Sequence, residues 1–227
     1  MLVRHAEAEG NIKRLFHGWT DGHITDVGHK QAGLLAKNIA NYKIDALYSS
    51  TLTRAIQTAE YISKITNLSI IKKENLKEIN GGDWEGVPWE DLPKFWPEDY
   101  KNWEDKPLVH KMPNGESMQE FLKRLVTELM QIISDNQGKN ICVVTHGTAI
   151  RVLMSYFYFK NLSRSDEIPW YDNTSITIVE YKDNDFEIIL EGDTKHLTDN
   201  LKTIESQEWW QNKQERILES KNLKENE

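Results

Sequence analysis

Strand-like and helix-like segments alternate along most of this chain, and this alternation limits the possible folds more than any other feature. Strands are predicted at residues 2–3, 46–48, 69–71, 140–145, 175–181 and 186–190. Helices are predicted from 25 towards 41, from 51 to about 65, from 117 onwards, and from about 148 to 159. Strands that alternate with helices predict an α/β fold with a largely parallel sheet.

Several polar residues mark the predicted starts of helices and one predicted turn. Thr25 and Thr51 precede apolar-periodic segments and are candidate N-caps. Ser117 with Glu120 has the spacing of a capping box, in which the two side chains satisfy free backbone N–H groups at the helix start. The dipeptide Asp183-Asn184 separates the last two strands and predicts a tight hairpin turn.

Charge and cysteine content narrow the range of partners and compartments. The 227 residues carry a formal net charge of −8, which disfavours general binding to nucleic acid or to an anionic membrane. The single cysteine, Cys142, lies in an apolar run and excludes an intramolecular disulfide. Arg4 and His5 interrupt the first apolar residues, so no signal peptide is expected, and no apolar run reaches the roughly 20 residues that span a bilayer. We therefore expect a soluble, cytoplasmic protein.

The domain organisation is predicted to be a single domain over residues 1–227. The segment at about 74–116 is rich in tryptophan, proline and acidic residues, and we expect an insertion over the active site with a small tryptophan core. A charged helix is predicted after about residue 206. The run at 2–3 is short for a first strand, which is consistent with a natural chain that begins a few residues earlier.

Arginine and histidine residues follow three of the predicted strands. Arg4 and His5 follow the first, Arg54 comes shortly after the second, and His146 follows the strand at 140–145. Ligand sites in open α/β sheets gather outside the carboxyl ends of the strands, so neighbouring parallel strands would bring these side chains together. Each residue alone is a weak signal, since a single histidine at a strand end is more often structural. Together they predict a cationic pocket for an anion with several oxygens, such as phosphate.

Five ordered motifs carry a resemblance to a known family. They are LVRHAE at 2–7 (followed by Asn11, Gly18, Asp21, Thr25, Gly28 and Gln31-Ala32), SSTLTRAIQTA at 49–59, LKEINGGDWEG at 76–86, GES at 115–117 and VTHG at 144–147. The chain resembles the histidine phosphatase superfamily, the phosphoglycerate mutase-like group, over most of its length up to about residue 175. The resemblance implies a three-layer α/β/α sandwich around a mostly parallel central sheet.

The resemblance also implies roles for six residues. His5 would be the nucleophile that forms a phosphohistidine, and Glu78 would protonate the leaving oxygen and then activate water. The residues implied to bind the phosphate oxygens are Arg4, Asn11, Arg54 and His146. The two arginines would also keep His5 neutral near pH 7, because nearby positive charge disfavours the imidazolium form.

Some details depart from the family pattern or leave a choice. The family usually has glycine after the nucleophile, whereas this chain has Ala6, which is tolerable unless its φ must be positive. Glu85 is a rival to Glu78 for the acid role, and the motif alignment favours Glu78; Glu7 is expected to tie down its loop. The remaining histidines are expected to be surface or structural residues: His17, His23, His29, His110 and His196. The sequence contains no HExxH motif, cysteine pair or P-loop, so neither a metal nor another cofactor is expected.

The activity is predicted to be phosphatase, acting on a small phosphorylated metabolite. Cofactor-dependent mutases of the family carry arginine, histidine, tyrosine and glycine directly after the acid, whereas Glu78 here is followed by INGGDW at 79–84, as in the phosphatases. The acidic segment at 74–116 is also a poor host for a bisphosphorylated effector. A phosphoglycerate mutase is the alternative, and an inactive phospho-ligand-binding relative is a remote one. The sequence leaves open the natural substrate and whether the chain forms a homodimer.

Overall fold

Six β-strands form one mixed sheet in the computed structural model, which describes residues 1–108 and 110–204. The strands are β1 (Leu2–Arg4), β2 (Ala46–Ser50), β3 (Ile70–Lys73), β4 (Ile141–Thr145), β5 (Ile176–Lys182) and β6 (Asp185–Asp193). Their order is β3-β2-β4-β1-β5-β6. The first four are parallel to one another, and the last two are joined antiparallel at the β1 edge. The predicted α/β fold with a mostly parallel sheet is confirmed.

Helices connect the strands and cover both faces of the sheet. They are α1 (Glu9–Lys13), α2 (Asp26–Ile39), α3 (Thr53–Thr66), α4 (Leu92–Phe95), α5 (Pro97–Asp105), α6 (Met118–Asp135) and α7 (Gly147–Phe159), with short 3₁₀ turns at Glu74–Leu76, Gly82–Trp84, Ser165–Glu167 and Asp199–Leu201. None of the helices in the described ranges is both long and apolar enough to cross a membrane. The charged helix predicted after about residue 206 lies outside the described residues.

Side chains that alternate along the central strands form two separate cores. Leu2 of β1 and Val143 of β4 belong to the core shared with α6 and α7. Val3 and Val144, their neighbours along the chain, belong to the core shared with α2 and α3. Successive residues of a strand point to opposite faces, so this pattern places helices on both sides of the sheet and makes three layers. Cys142, in the apolar run at 141–144, is fully buried in the second core.

Two predicted N-caps are confirmed. The Thr25 hydroxyl accepts a hydrogen bond from the backbone N–H of Gly28 at 3.0 Å, at the start of α2. At the start of α6, the Ser117 hydroxyl accepts from the N–H of Glu120 at 3.2 Å, and the Glu120 carboxylate accepts from the N–H of Ser117 at 3.0 Å. The helix starts that the sequence marked most clearly are therefore those that use their own side chains.

The predicted cap at Thr51 is wrong, because α3 begins at Thr53 with Leu52 as its N-cap and no side-chain cap. The N–H of Thr53 instead donates to the carboxylate of Asp21 at 2.8 Å, and the Thr53 hydroxyl donates to the same carboxylate at 2.6 Å. Asp21, from another loop, therefore accepts the free backbone N–H at the start of α3. Such a tertiary partner leaves no local pattern in the sequence.

Two short elements had different outcomes: the turn between β5 and β6 was predicted, and the helix α1 was not. Asp183 and Asn184 have φ of 52° and 62°, the two successive positive values of a type I′ hairpin turn, and the predicted turn is confirmed. The five-residue helix α1 was not predicted, because it is too short to show an apolar period.

The tryptophan-rich segment at 74–116 contains a buried aromatic cluster. Trp84 is fully buried, and its ring lies 5.9 Å from those of Phe16 and Trp103 and 6.0 Å from that of Tyr100, measured between centroids. The predicted packing of tryptophans is therefore confirmed for Trp84. The cluster is not a separate small core, however, because Trp84 belongs to the core that also contains residues of α6 and α7. Trp89, in contrast, is 38% exposed.

We expect Leu35→Ala to destabilise the fold by about 2–5 kcal/mol, because Leu35 is fully buried between α2 and the sheet and its loss leaves a cavity. Leu34→Ala in the same helix is the matched control and should cost less, since Leu34 is only partly buried. Urea unfolding of both variants measures the difference. Equal losses at the two positions would contradict this assignment of the core face.

Candidate active site

Chemically active side chains gather at the carboxyl ends of three central strands. Arg4 ends β1 and His5 follows it, while His146 follows β4, the strand that pairs with both β1 and β2. Arg54 lies in the first turn of α3, which follows β2. The ring centroids of His5 and His146 are 5.2 Å apart. The order of the strands therefore brings together residues that are far apart in sequence, as expected at such an edge.

The hydrogen bond of the His5 ring leaves one ring nitrogen available. Nδ1 lies 2.7 Å from the carbonyl oxygen of Ala6. A carbonyl can only accept a hydrogen bond, so Nδ1 carries the proton and the neutral ring keeps the lone pair on Nε2. Burial lowers the pKa of His5 well below 6.5, and the positive charges of Arg54 and Arg4 lower it further. His5 is therefore a neutral imidazole near pH 7 and can act as a nucleophile.

The backbone around His5 is held on both sides. The carbonyl oxygen of His5 accepts from the Asn173 side-chain amide at 2.9 Å, and the N–H of His5 donates to the carbonyl of Thr145 at 2.9 Å. The N–H of Ala6 donates to the Thr58 hydroxyl at 3.0 Å. Ala6 is not among the residues with positive φ, so alanine is tolerated where the family usually has glycine.

His146 is fully buried and contributes a second neutral imidazole. Its Nε2 lies 2.8 Å from the Ser50 hydroxyl, which itself accepts from the N–H of Leu52. The contact allows the Ser50 hydroxyl to donate to Nε2, and in that arrangement the ring proton of His146 is on Nδ1. Nδ1 is buried without a partner in the described part of the chain. Burial lowers the pKa of His146 well below 6.5, and Arg54 adds to the effect.

Arg4 is a buried cation with an unused donor. One terminal nitrogen donates to the carbonyl of Tyr171 at 2.5 Å, and Nε has no partner among residues 1–108 and 110–204. Burial lowers the pKa of Arg4, while the carboxylates of Asp172 and Glu78 oppose the shift. A Cβ on Gly147 would lie 3.2 Å from Nε of Arg4, so the glycine leaves room for the guanidinium.

Arg54 is fully buried and organises the loop at residues 17–20. Its terminal nitrogens donate to the carbonyls of Thr20 at 2.9 Å, Gly18 at 2.6 Å and His17 at 3.1 Å. Its Nε is buried with no partner in the described ranges. Burial lowers the pKa of Arg54 to about 10, partly offset by the nearby carboxylate of Glu78, so it remains a cation at neutral pH.

His17 contacts Arg54 directly, which the sequence did not indicate. Its Nε2 lies 3.2 Å from a terminal nitrogen of Arg54. Burial and the charge of Arg54 lower the pKa of His17 to about 4, so the neutral ring accepts this hydrogen bond at pH 7. The prediction that His17 is structural agrees with this contact, but the contact depends on a helix start 37 residues away and has no local pattern.

Glu78 lies at the edge of the same cluster as a buried carboxyl group. Its two oxygens accept from the backbone N–H groups of Ile79 and Thr148, each at 2.9 Å. Burial raises the pKa of Glu78 above its usual 4.5, although these hydrogen bonds and Arg54 act in the opposite direction. A carboxyl group with a raised pKa can hold a proton and donate it.

Glu85, the rival carboxylate, is engaged in holding loops together. It accepts from the N–H groups of Trp19 and Thr20 at 2.7 Å, from the Thr20 hydroxyl at 2.6 Å and from the N–H of Gly81 at 2.8 Å. Both oxygens of Glu85 are thus occupied by donors from the loops at residues 19–20 and 81. The geometry favours Glu78 as the proton donor.

Asn11 and Glu7 support the loop after β1. The Asn11 side-chain oxygen accepts from the N–H of Ala8 at 2.9 Å, and this bond closes the first turn of α1 and leaves the side-chain NH₂ as a donor. No hydrogen bond joins Asn11 to the two histidines or to the arginines in the described residues. The Glu7 carboxylate accepts from the Thr25 hydroxyl at 2.6 Å, so Glu7 ties down its loop as expected.

The described residues contain no metal-binding cluster, and one groove of the molecule lies apart from this site. Within residues 1–108 and 110–204, no group of three or more histidine, cysteine, aspartate or glutamate side chains could hold a metal ion. A groove of about 620 Å³ opens at the opposite edge of the sheet, lined in part by Met1, Ile44, Ile141 and Tyr181. The charged and nucleophilic groups described above do not line that groove.

The profile of the histidine phosphatase superfamily (branch 1) matches residues 1–194. The chain belongs to this superfamily. Its matched region includes the whole sheet and every residue of the site described above.

Similar proteins in the superfamily have more than one named activity. The chain is 30% identical to phosphoserine phosphatase 1 of Hydrogenobacter thermophilus, over 87% of this chain and 93% of that protein. It is 30% identical to the 2,3-bisphosphoglycerate-dependent phosphoglycerate mutase of Bartonella tribocorum, over 68% and 78%. The solved structure of Bacillus stearothermophilus YhfR superposes with a TM-score of 0.81 at 30% identity, covering 86% of this chain and 96% of that one.

Most of the residues that the sequence singled out lie in one cluster, and several supporting residues were missed. Arg4, His5, Arg54, Glu78 and His146 are near enough to affect one another's pKa values. The missed residues are Ser50, Thr148 and Asn173, together with the contact of His17 with Arg54. Ser50 lies within a recognised motif and Thr148 directly follows one, so the sequence indicated that both lie near the site. It did not indicate that Ser50 contacts His146 or that Thr148 binds Glu78.

We predict that His5 remains neutral at pH 6.5, because burial and two arginines lower its pKa well below that value. Imidazole ¹⁵N NMR across a pH titration measures this state. Arg54→Gln should move the titration of His5 towards higher pH, because a positive charge is removed. The exposed Arg164→Gln is the control and should not move it. A His5 ring that is already protonated at pH 6.5 would contradict this electrostatic description.

Proposed function

We propose that this chain hydrolyses phosphomonoesters of small metabolites through a phosphohistidine formed at Nε2 of His5. The observation that carries the proposal is the bond from Nδ1 of His5 to the Ala6 carbonyl, which leaves Nε2 as a free nucleophile among buried donors. Those donors are the unpaired N–H groups of Arg4, Arg54 and His146. Buried polar groups are normally satisfied, so three unpaired donors beside a nucleophile support an anionic ligand there.

The first step transfers the phosphoryl group to the enzyme. The lone pair of Nε2 of His5 attacks phosphorus, and the bond from phosphorus to the ester oxygen breaks with its electron pair on that oxygen. Glu78 donates its proton to the departing oxygen, and the alcohol leaves. The three buried donors, with the NH₂ of Asn11, stabilise the phosphoryl oxygens as the charge shifts.

The second step returns the enzyme to its starting state. Glu78, now ionised, takes a proton from water as the water oxygen attacks phosphorus. The bond between phosphorus and Nε2 breaks, its electron pair returns to the imidazole, and inorganic phosphate is released. Glu78 is then protonated again, so His5 and Glu78 complete the cycle unchanged.

Hydrolysis is favoured over mutase activity by the residues around the acid. The cofactor-dependent mutases carry an arginine and a histidine directly after the acid glutamate, and here Ile79 and Asn80 occupy those places. Neither side chain carries a positive charge that could bind a second phosphate. Ile79 is apolar and buried, and the backbone N–H of Asn80 is bound to the Glu116 carboxylate. Relatives with both activities exist, and the phosphoserine phosphatase relative makes phosphoserine a candidate substrate to test.

The remaining parts of the proposal concern the domain organisation and the cellular location of the protein. We take residues 1–227 as a single histidine phosphatase domain with an insertion at about 74–116 over the active site. In support, the aromatic core of this insertion is continuous with the core under α6 and α7. A cytoplasmic location stays a prediction.

We expect His5→Ala to lower phosphate release by more than about 10³-fold, because the covalent step is lost. Release of inorganic phosphate is measured on a panel that includes phosphoserine, 3-phosphoglycerate and p-nitrophenyl phosphate. His29→Ala is the matched control, since His29 is exposed and its ring contacts the Tyr61 hydroxyl, away from the site. The phosphoenzyme trapped from substrate should be labile in acid and stable in alkali.

Two results would change this assignment. A phosphoenzyme with the reverse stability would indicate a serine or carboxylate nucleophile. No release from any ester by the unchanged protein would favour the mutase, to be tested with the bisphosphoglycerate cofactor, and then the inactive relative that binds phosphorylated ligands.

We expect Glu78→Gln to lower hydrolysis of an alkyl phosphate by about 10²-fold or more, and that of p-nitrophenyl phosphate by about tenfold or less. A poor leaving group needs the proton that Glu78 supplies, whereas nitrophenolate leaves without it. Hydrolysis of the alkyl ester should fall as the pH rises through the raised pKa of Glu78, and this limb should disappear in the variant. Equal losses on both esters would show that the acid assignment is wrong.

A further inference from the structure

A partly buried ion pair between Arg124 and Glu116 packs against the segment that carries Glu78. We propose that Arg124, held by Glu116, is a positioning residue that sets the backbone of residues 75–80 and thereby the place of the Glu78 carboxyl group. This inference rests on the proposed function, in which Glu78 transfers a proton. The pair lies outside the cluster of groups that would contact the phosphate.

The pair has the geometry of a rigid clamp. Nε of Arg124 donates to one oxygen of Glu116 at 2.8 Å, and a terminal nitrogen donates to the other oxygen at 2.7 Å. The two side chains are only 15% and 17% exposed. A two-pronged pair of this kind fixes the orientation of the guanidinium plane as well as its distance.

The other donors of Arg124 bind the backbone on either side of the acid. Terminal nitrogens of Arg124 donate to the carbonyls of Asn75 at 2.9 Å, Lys77 at 3.0 Å and Glu78 at 3.0 Å. The carbonyl of Glu78 also accepts from the indole N–H of Trp19 at 2.8 Å. The peptide that bears the acid is therefore held from α6 and from the loop that surrounds Arg54.

Glu116 holds the same segment at its far end. Its carboxylate accepts from the N–H of Asn80 at 2.9 Å, and its own N–H donates to the carbonyl of Asn80 at 2.8 Å. Residues 75–80 are consequently fixed on both sides of Glu78 by one ion pair. Neither member of the pair is hydrogen-bonded to the carboxyl group of Glu78 itself, so the effect acts through the backbone.

The position of this backbone matters because the Glu78 carboxyl group bridges two elements. One oxygen accepts from Ile79, inside the clamped segment, and the other accepts from Thr148, in the first turn of α7. A shift of the segment would pull the carboxyl group away from α7, which begins directly after His146. Misplacement by about 1 Å is enough to lower a catalysed rate by about 10²-fold.

The experiment compares Arg124→Lys and Glu116→Gln with the unchanged protein on an alkyl phosphate and on p-nitrophenyl phosphate. We expect kcat to fall by about tenfold to 10²-fold on the alkyl ester and by less than about threefold on the nitrophenyl ester, with KM nearly unchanged on both. Arg164→Lys is the matched control, because Arg164 makes the same two-pronged contact with Glu167 on the exposed surface.

A purely structural role predicts a different pattern. Equal losses on the two esters, accompanied by a lower unfolding temperature, would overturn the proposal. Glu116→Gln keeps the shape of the side chain and an acceptor for Asn80, so it serves if Arg124→Lys fails to fold. A loss on the alkyl ester alone in this variant supports the positioning role.

The test also separates this proposal from the proposed function. If the unchanged protein shows no hydrolysis that depends on His5, the proposed function fails. Amide hydrogen exchange at Ile79 and Asn80 then still tests the clamp: faster exchange in both variants, but not in Arg164→Lys, supports it. Unchanged exchange in both variants contradicts it.

Discussion

The burial of the Arg54 guanidinium is the constraint on which the rest of the site depends. A buried cation is costly unless hydrogen bonds and opposite charges compensate it. Three backbone carbonyls from residues 17–20 accept from Arg54, and the carboxylates of Glu78, Asp21 and Glu85 add opposite charge. Glu85 binds the N–H groups of Trp19 and Thr20 and so helps to hold the loop that presents those carbonyls. The loop, its carboxylate and the start of α3 therefore form one unit around a single positive charge.

The same burial adjusts the protonation of the two groups that the reaction would use. Removal from water disfavours the charged form of any side chain, so it lowers the pKa of His5 and raises that of Glu78. The imidazole is thereby left neutral and able to attack, while the carboxyl group is able to hold a proton. Opposite shifts from one low-dielectric pocket are the usual way in which a site obtains both a nucleophile and an acid at one pH.

Local sequence patterns predicted most of the elements but not the contacts between them. The caps at Thr25 and Ser117 were predictable because their partners lie three residues away. The start of α3 was placed wrongly because its partner, Asp21, comes from another loop. For the same reason the contact of His17 with Arg54, and the clamp that Arg124 forms on residues 75–80, could not be read from spacing.

By itself, the sequence determined the alternation of strands and helices, the membership of the superfamily and the identity of the residues with reactive chemistry, since each depends on residue type and local order. Only the tertiary structure decided which nitrogen of His5 is free, which donors are left unpaired, and that Glu85 serves the loops while Glu78 stays buried beside α7. These properties depend on hydrogen-bond partners and on exclusion of water, and both arise only when distant segments pack together.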